Sequence, residues 1–442
     1  MTAINDLLLQ GPLGAPELRQ HLGISQATFS RLVATQQQVI QFGKARATRY
    51  ALLRPVRGIS VFPFWQVNAE GRAIKGGEIY PTWPQGSCLV LQADGQWQWF
   101  DSLPWYLTDL RPQGFLGRAW GRRLAQQFSL PEDIRRWQES DVLYALGQFS
   151  GEHSGGWLVG EENYQRWLCA TLPQPITDDQ KNRVYAQLSQ EALAGEIVGS
   201  SAGGEQPKFS CFAQTATGDA HVLVKFTAPQ SSAVSVRWGD LLFAEAIAHS
   251  TLTRAGLAAS DAIALQGESG QVFLEAKRFD CEGVTGRRAI VSLEAVQSEF
   301  VTASGAWPHT VEKLVQAGIV EATAAGQVEK IWAFGRLIAN SDMHAGNLSF
   351  YYSAFPLSLA PVYDMLPMAF APSSAGMMRE EACELRFDST ISRQAWEFAL
   401  PLAAQFWQQV MDEKRISENF RTIAAGMKTR LSDIAVIVQR MA

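Results

Sequence analysis

The spacing of apolar residues changes along the chain from helical to strand-like and back to helical. Residues 3–10 and 15–22 repeat their apolar positions at helical spacing, with Leu18 and Leu22 one turn apart and Gly11-Pro12 as the break between them. Gly23-Ile24-Ser25 predicts a tight turn, with Ser25 capping a third helix over 26–35. That helix turns Phe29, Leu32 and Val33 inward and leaves Gln26, Thr28, Ser30 and Arg31 outward. Residues 39–42 and 50–53 read as strands flanking a basic loop with Lys44, Arg46 and Arg49. Short apolar runs at 61–65, 88–91 and 96–100, punctuated by Gly and Pro, predict further strands. A mixed region over 105–124 then leads to helices expected at 131–148 and 163–168.

Beyond residue 197 the pattern tightens. A glycine-rich turn holding Gly203 and Gly204 precedes two strands, the second ending at Lys225. An apolar helix over 240–255 carries Glu245, and a strand at 271–274 runs into Glu275-Ala276-Lys277-Arg278-Phe279-Asp280. Helices are then expected at 311–318, 328–339, 394–411 and 416–438. No internal repeat or low-complexity tract appears.

Composition refines this outline. The 442 residues are 47% hydrophobic and carry a formal charge of −5, so several domains with real cores are expected and a nucleic-acid coat is not. The charge is uneven: residues 1–58 hold seven Lys and Arg against Asp6 and Glu17, a balance of +5, and the remainder carries −10. A basic head on an acidic body fits a nucleic-acid-binding head. Five dispersed cysteines without a C-x-x-C pair point to buried free thiols, not zinc or disulfides. The first residues lack a signal-peptide pattern and no apolar run is long enough to span a bilayer, so the expected location is cytoplasmic, without membrane partners.

The chemistry concentrates in two stretches. Asp342 precedes Asn347 by five residues, and Asp364 follows seventeen later. Phosphoryl transfer from ATP needs a carboxylate to orient the attacking hydroxyl and hard oxygen ligands for Mg2+. Asp342 suits the first task, and Asn347 and Asp364 the second. The same residues also suit an Asx-rich turn after a helix. Upstream, backbone N–H groups near Gly203 and Gly204 can approach phosphates, Lys225 can pair with them, and Glu245 can pair with Lys225. Alone, Lys225 also reads as a strand end and Glu245 as a surface acid. For the head, the turn, capped helix and basic loop fit a winged helix-turn-helix, a shape that serves DNA binding or protein docking.

The wording N-S-D-M-H-A-G-N-L-S, P-V-Y-D, K-R-F-D and S-S-A-G-G-E-Q-P-K resembles the HipA family of bacterial Ser/Thr kinase toxins over roughly residues 60–442. The whole chain, with its fused head, resembles stand-alone members of that family. The resemblance implies Asp342 as catalytic base, Asn347 and Asp364 as magnesium ligands, and His344 near the ATP phosphates. It implies that Lys225 holds the α/β-phosphates and that Lys277 and Phe279 flank adenine through their backbones. Ser200 corresponds to the serine that such kinases autophosphorylate, with Ser201 beside it left open. Aminoacyl-tRNA synthetases are the implied substrates and a HipB-like antitoxin an implied partner.

Two positions depart from the family. Lys277 replaces the usual Glu of the hinge, and Pro207 removes an N–H donor from the phosphate loop. The expected fold class is α+β: a two-lobed, protein-kinase-like HipA-type fold with an N-terminal winged helix-turn-helix. Its expected divisions are 1–58 for the head, 59–280 for a β-rich N-lobe and 281–442 for an α-helical C-lobe. The expected activity is an ATP- and Mg2+-dependent protein Ser/Thr kinase. The alternatives are a DNA-binding regulator with a nucleotide-sensing body and a small-molecule kinase.

Overall fold

Leu8, Leu18 and Phe29 lie on α1 (Ala3–Leu8), α2 (Ala15–Leu22) and α3 (Gln26–Ala34) and meet in one small core. These are the first elements of a computed structural model that describes residues 3–148, 154–194 and 206–441. Gly23 ends α2 with a left-handed φ of 64°, and Ser25 Oγ accepts from the Thr28 N–H to begin α3. The Phe29 ring meets Tyr50 edge-on at 5.2 Å. β1 (Leu13–Gly14), β2 (Val39–Phe42) and β3 (Arg49–Leu52) form an antiparallel sheet in the order β1-β3-β2. Between β2 and β3, Ala45–Ala47 coils into a short 3-10 turn where an open loop was expected.

These elements belong to a compact unit of Met1–Pro112 and Trp120–Thr171. Its larger sheet comprises β4 (Phe62–Val67), β5 (Ala73–Pro81), β6 (Cys88–Gln92), β7 (Trp97–Phe100) and β8 (Trp157–Val159), ordered β7-β6-β5-β4-β8. β5 was not expected, because Gly76 and Gly77 break its apolar alternation. Both glycines are required: a Cβ at Gly76 would lie 2.4 Å from the Phe64 ring, and one at Gly77 2.2 Å from the Leu91 carbonyl. The small sheet is joined to the large one. Phe42 and Ala51 pack with Leu89, and the Trp83 N–H donates to the Leu52 carbonyl at 2.9 Å. Tryptophans do serve as packing residues here, with Trp65 stacked on Tyr164 at 4.4 Å. Helices α5 (Glu139–Gln148) and α6 (Glu161–Leu168) and the part of α4 (Gly114–Phe128) from Trp120 onward complete this unit.

The second unit comprises Gln113–Ala119 and Leu172–Ala442. It opens with a helix that the apolar pattern did not reveal, α7 (Asp178–Ala194), whose Tyr185, Leu188 and Ala192 recur among mostly polar neighbours. They pack on an antiparallel sheet of β9 (Lys208–Thr215), β10 (Gly218–Phe226), β11 (Ala262–Gln266) and β12 (Val272–Lys277), ordered β11-β12-β10-β9. α8 (Ala233–Arg254) joins β10 to β11 and starts earlier than expected, because Ser232 and Ser235 cap it reciprocally. β13 (Cys281–Glu282) and β14 (Gly286–Arg287) form a hairpin. β15 (Ile290–Ser292), β16 (Ser349–Tyr351) and β17 (Ser358–Leu359) form a small sheet amid α9 (Leu293–Phe300), α10 (Trp307–Gln316), α11 (Ala322–Leu337), α12 (Arg393–Asp412) and α13 (Glu418–Val438). Trp307, Trp396 and Trp407 are fully buried among these helices.

All five cysteines are free; Cys88, Cys281 and Cys383 are buried, whereas Cys169 is exposed, against the expectation of buried thiols throughout. Among the described residues no helix is long and apolar enough to cross a membrane.

α7 is fastened to β12 by a buried polar cluster. Glu275 accepts from Lys181 Nζ at 2.8 Å and from the Tyr185 hydroxyl at 2.5 Å. Replacing Lys181 alone leaves a buried carboxylate without its cation. Lys181→Met should destabilise the protein by about 3 kcal/mol in urea unfolding, and adding Glu275→Gln should recover part of that loss.

Candidate active site

Strand alternation sets the centre of the site. Val222, Val224 and Phe226 of β10 enter the core beneath α7, so Lys225 points to the opposite face. There its ammonium donates to both oxygens of Glu245, at 2.7 and 2.8 Å, and to Asp364 Oδ1 at 2.7 Å. Lys225 and Glu245 are 5% and 1% exposed, whereas about a third of the Asp364 side chain (32%) remains open to solvent. Asp364 adopts a left-handed backbone, φ 51°, which is uncommon for a residue with a Cβ and marks a constrained position.

The charges settle one another. Burial alone would lower the Lys225 pKa, but Asp364 and Glu245 outweigh it and hold the group above its ordinary value. Burial works against the Asp364 carboxylate as well, and Lys225 overcomes it, keeping Asp364 well below the usual range. Glu245 is raised, first by burial and then by Asp364, with Lys225 opposing both.

α8 holds Glu245 because two polar positions that precede it, Arg237 and Asp240, are anchored. Asp240 accepts from the Ser417 N–H and hydroxyl, each at 2.7 Å, and Arg237 donates to Asn419 Oδ1 at 2.7 Å and to the Arg379 carbonyl at 2.9 Å. One turn beyond Glu245, His249 is 2% exposed.

The loop after α11 carries the second half of the site. Asn340, 3% exposed, accepts from the Asp342 N–H at 3.0 Å and donates to the Asp364 carbonyl at 3.3 Å. The Asn347 amide donates to the Asp342 carbonyl at 2.8 Å, leaving its own oxygen available. His344 Nδ1 accepts from the Gly346 N–H at 3.1 Å, so the neutral ring carries its proton on Nε2. The Tyr363 hydroxyl donates to the Gly346 carbonyl at 2.7 Å. Asp342 is exposed, and its carboxylate has no hydrogen-bond partner among the described residues. Asn340 and Tyr363 were not singled out in the sequence. N-S-D placed an amide two residues before the acid, but its partner at Asp364 is invisible to local pattern.

The expected adenine contacts are partly engaged. The Lys277 N–H donates to the Asp261 carbonyl at 2.8 Å, and its carbonyl accepts from the Ser260 hydroxyl at 3.2 Å with a lone pair remaining. The Phe279 ring lies 5.7 Å from that of Tyr363, joining this strand end to the Asp364 segment. Ser200, Ser201, Gly203 and Gly204 lie outside the described residues.

Asn347 and the free oxygen of Asp364 are hard neutral and anionic oxygen donors, the set that suits Mg2+. On the N-terminal helix, Gln26, Thr28, Ser30 and Arg31 are exposed as expected, yet Gln26 bridges Arg19 and Ser30 at 3.0 and 3.4 Å. Lys44 and Arg46 are exposed on the 3-10 turn, whereas Arg49 is tied to the Pro12 carbonyl at 2.7 Å.

Across 441 residues, covering the whole of both chains, this sequence is 62% identical to the Escherichia coli K12 protein described as Toxin YjjJ. The chain belongs to the YjjJ-like toxin family. Residues 59–168 match the model of the YjjJ-like toxin middle domain, and residues 200–433 that of the HipA-like C-terminal domain. The Shewanella oneidensis MR-1 HipA, solved with HipB and its operator DNA, aligns with a TM-score of 0.50 over 81% of this chain and 94% of its own, at 15% identity. A Helicobacter pylori proinflammatory kinase, CtkA, aligns over 52% of this chain and 95% of its own, with a TM-score of 0.35 and 14% identity. The YjjJ-like chain thus has a mixed α and β fold of HipA type.

Two outcomes follow for this site. Asn340→Ala should cost about 2 kcal/mol in thermal or urea unfolding, because the partly buried hydrogen bonds to the Asp342 N–H and the Asp364 carbonyl, worth about 1 kcal/mol each, are both lost. Burial and the Lys225 charge push the His249 pKa from 6.5 down to about 4. The unfolded chain therefore binds a proton there that the native chain refuses, and stability falls as pH drops through that window. Between about pH 7 and about pH 5 this site should remove about 2 kcal/mol, and His249→Gln should flatten the urea-midpoint profile by that amount.

Proposed function

We propose that this YjjJ-like chain is an ATP- and Mg2+-dependent protein Ser/Thr kinase of HipA type. The observation that carries the reading is Lys225 Nζ held at 2.7 Å from both Glu245 and Asp364. In this reading Lys225 is the phosphate-gripping lysine, Glu245 its helix partner and Asp364 a metal-binding acid.

When bound, Mg-ATP supplies the electrophilic γ-phosphoryl group and the metal charge that offsets its oxygens. The chain's residues do the rest by position and charge. Lys225, kept protonated by its two carboxylates, holds the α/β-phosphates. The Asn347 amide oxygen and Asp364 hold the metal. His344 offers Nε2–H toward the phosphates, the Lys277 carbonyl and Phe279 N–H meet adenine, and backbone N–H groups of Gly203 and Gly204 would serve the phosphates. The unpaired Asp342 carboxylate orients the acceptor hydroxyl and takes its proton. Under this reading Ser200 or Ser201 is autophosphorylated, and an aminoacyl-tRNA synthetase is the first substrate to try.

The same reading divides the cytoplasmic chain into a winged helix-turn-helix at 1–58, an N-lobe at 59–280 and a C-lobe at 281–442. DNA would be met by Gln26, Thr28, Ser30, Arg31, Lys44, Arg46 and Arg49, and a HipB-like antitoxin would be a partner. A second reading, a DNA-binding regulator whose body senses nucleotide, is favoured by the exposed basic turn at Lys44 and Arg46.

Intact-mass measurement after incubation with Mg-ATP tests the kinase reading. The wild-type protein should gain a phosphate on the peptide holding Ser200 and Ser201, and Asp342→Asn should lose at least about 100-fold in rate. ATP binding without transfer would move the conclusion to the regulator.

A further inference from the structure

A cavity of about 200 Å³ beside Asp342 is lined by Trp332, Arg336, Asn340, Ser341 and His344. Arg336, in the last turn of α11, is half-buried in its wall. Its Nε is shut off from solvent without a hydrogen-bond partner. No ion pair or hydrogen bond to its guanidinium occurs among the described residues, and its contact with the Trp332 ring is distant, at 6.0 Å.

The acid whose charge Arg336 feels is committed elsewhere. Asp388 accepts from the Thr390 hydroxyl at 2.6 Å, the Thr390 N–H at 3.0 Å and Trp332 Nε1 at 3.4 Å. Arg386 adds a second positive charge. Burial first, and then Arg386, lower the Arg336 pKa, with Asp388 opposing them. A half-buried guanidinium with unmet donors and a like-charged neighbour is unfavourable as it stands, and a ligand anion would relieve it. Its planar fork matches a carboxylate or a phosphate.

We propose that Arg336 forms an anion subsite that reads a carboxylate or phosphate on the acceptor polypeptide close to its serine or threonine. This rests on the kinase reading, which puts the acceptor hydroxyl at Asp342, in the same cavity. The neighbouring surface favours a polypeptide over a small molecule. Glu329, two turns before Arg336 on the same face of α11, lines an open groove of about 820 Å³ together with Gly326, His309, Thr390 and Arg393.

The test is equilibrium binding of fluorescent serine peptides to the full chain, read by anisotropy, so that turnover is not required. The set holds neutral peptides and versions with one glutamate or one phosphoserine at each position within about three residues of the serine. Wild-type protein should bind an acidic version about tenfold more tightly than the neutral peptide at one preferred position. Glutamate and phosphoserine arms identify which anion is read. Arg336→Gln should bring the ratio close to one, and Arg336→Lys should keep part of it. Equal wild-type affinity for acidic and neutral peptides, or an unchanged ratio in folded Arg336→Gln, would overturn the subsite. Acid-selective binding without phosphate transfer would keep the subsite and remove the kinase reading, whereas transfer without acid selectivity would do the reverse.

Discussion

An ammonium group removed from water is tolerated only beside opposite charge, and the centre of this molecule is built around that constraint. Lys225 is buried between Glu245, 20 positions away, and Asp364, 139 positions away. Neither carboxylate arrives by local structure alone. Glu245 depends on α8 being held by Arg237 and Asp240, and Asp364 depends on a left-handed backbone whose carbonyl is met by Asn340. The ammonium in turn keeps two acids from repelling each other. The strand, the helix and the loop therefore form one electrostatic unit.

The chemistry of that unit was legible where it depends on residue type and order. Asp342, Asn347 and Asp364 stand out by spacing, and Lys225 and Glu245 by their places on a strand and an apolar helix. Its supports were not legible, because their partners are far away in sequence. Nothing near Asp240 announces Ser417, and nothing near Asn340 announces the Asp364 carbonyl. Arg336 escaped for the opposite reason: what matters is the partner it lacks.

The fold shows the same division. Capped amphipathic helices such as α3 and short apolar strands such as β2 follow their pattern closely. β5 was hidden because Gly76 and Gly77 answer to Phe64 and Leu91 and not to the apolar period. α7 was hidden because one face with few apolar residues suffices when Lys181 and Tyr185 contribute a buried polar cluster.

The seam between the N-terminal helices and the tryptophan-rich sheet makes neither part a finished surface without the other. β2 and β3 share a core with Leu89, and the backbone of Leu52 accepts from Trp83. A gene split near residue 58 would leave Leu89 and Trp99 bare on one product and Phe42 and Ala51 bare on the other. Two fragments cut at that point would each expose an apolar patch that invites association.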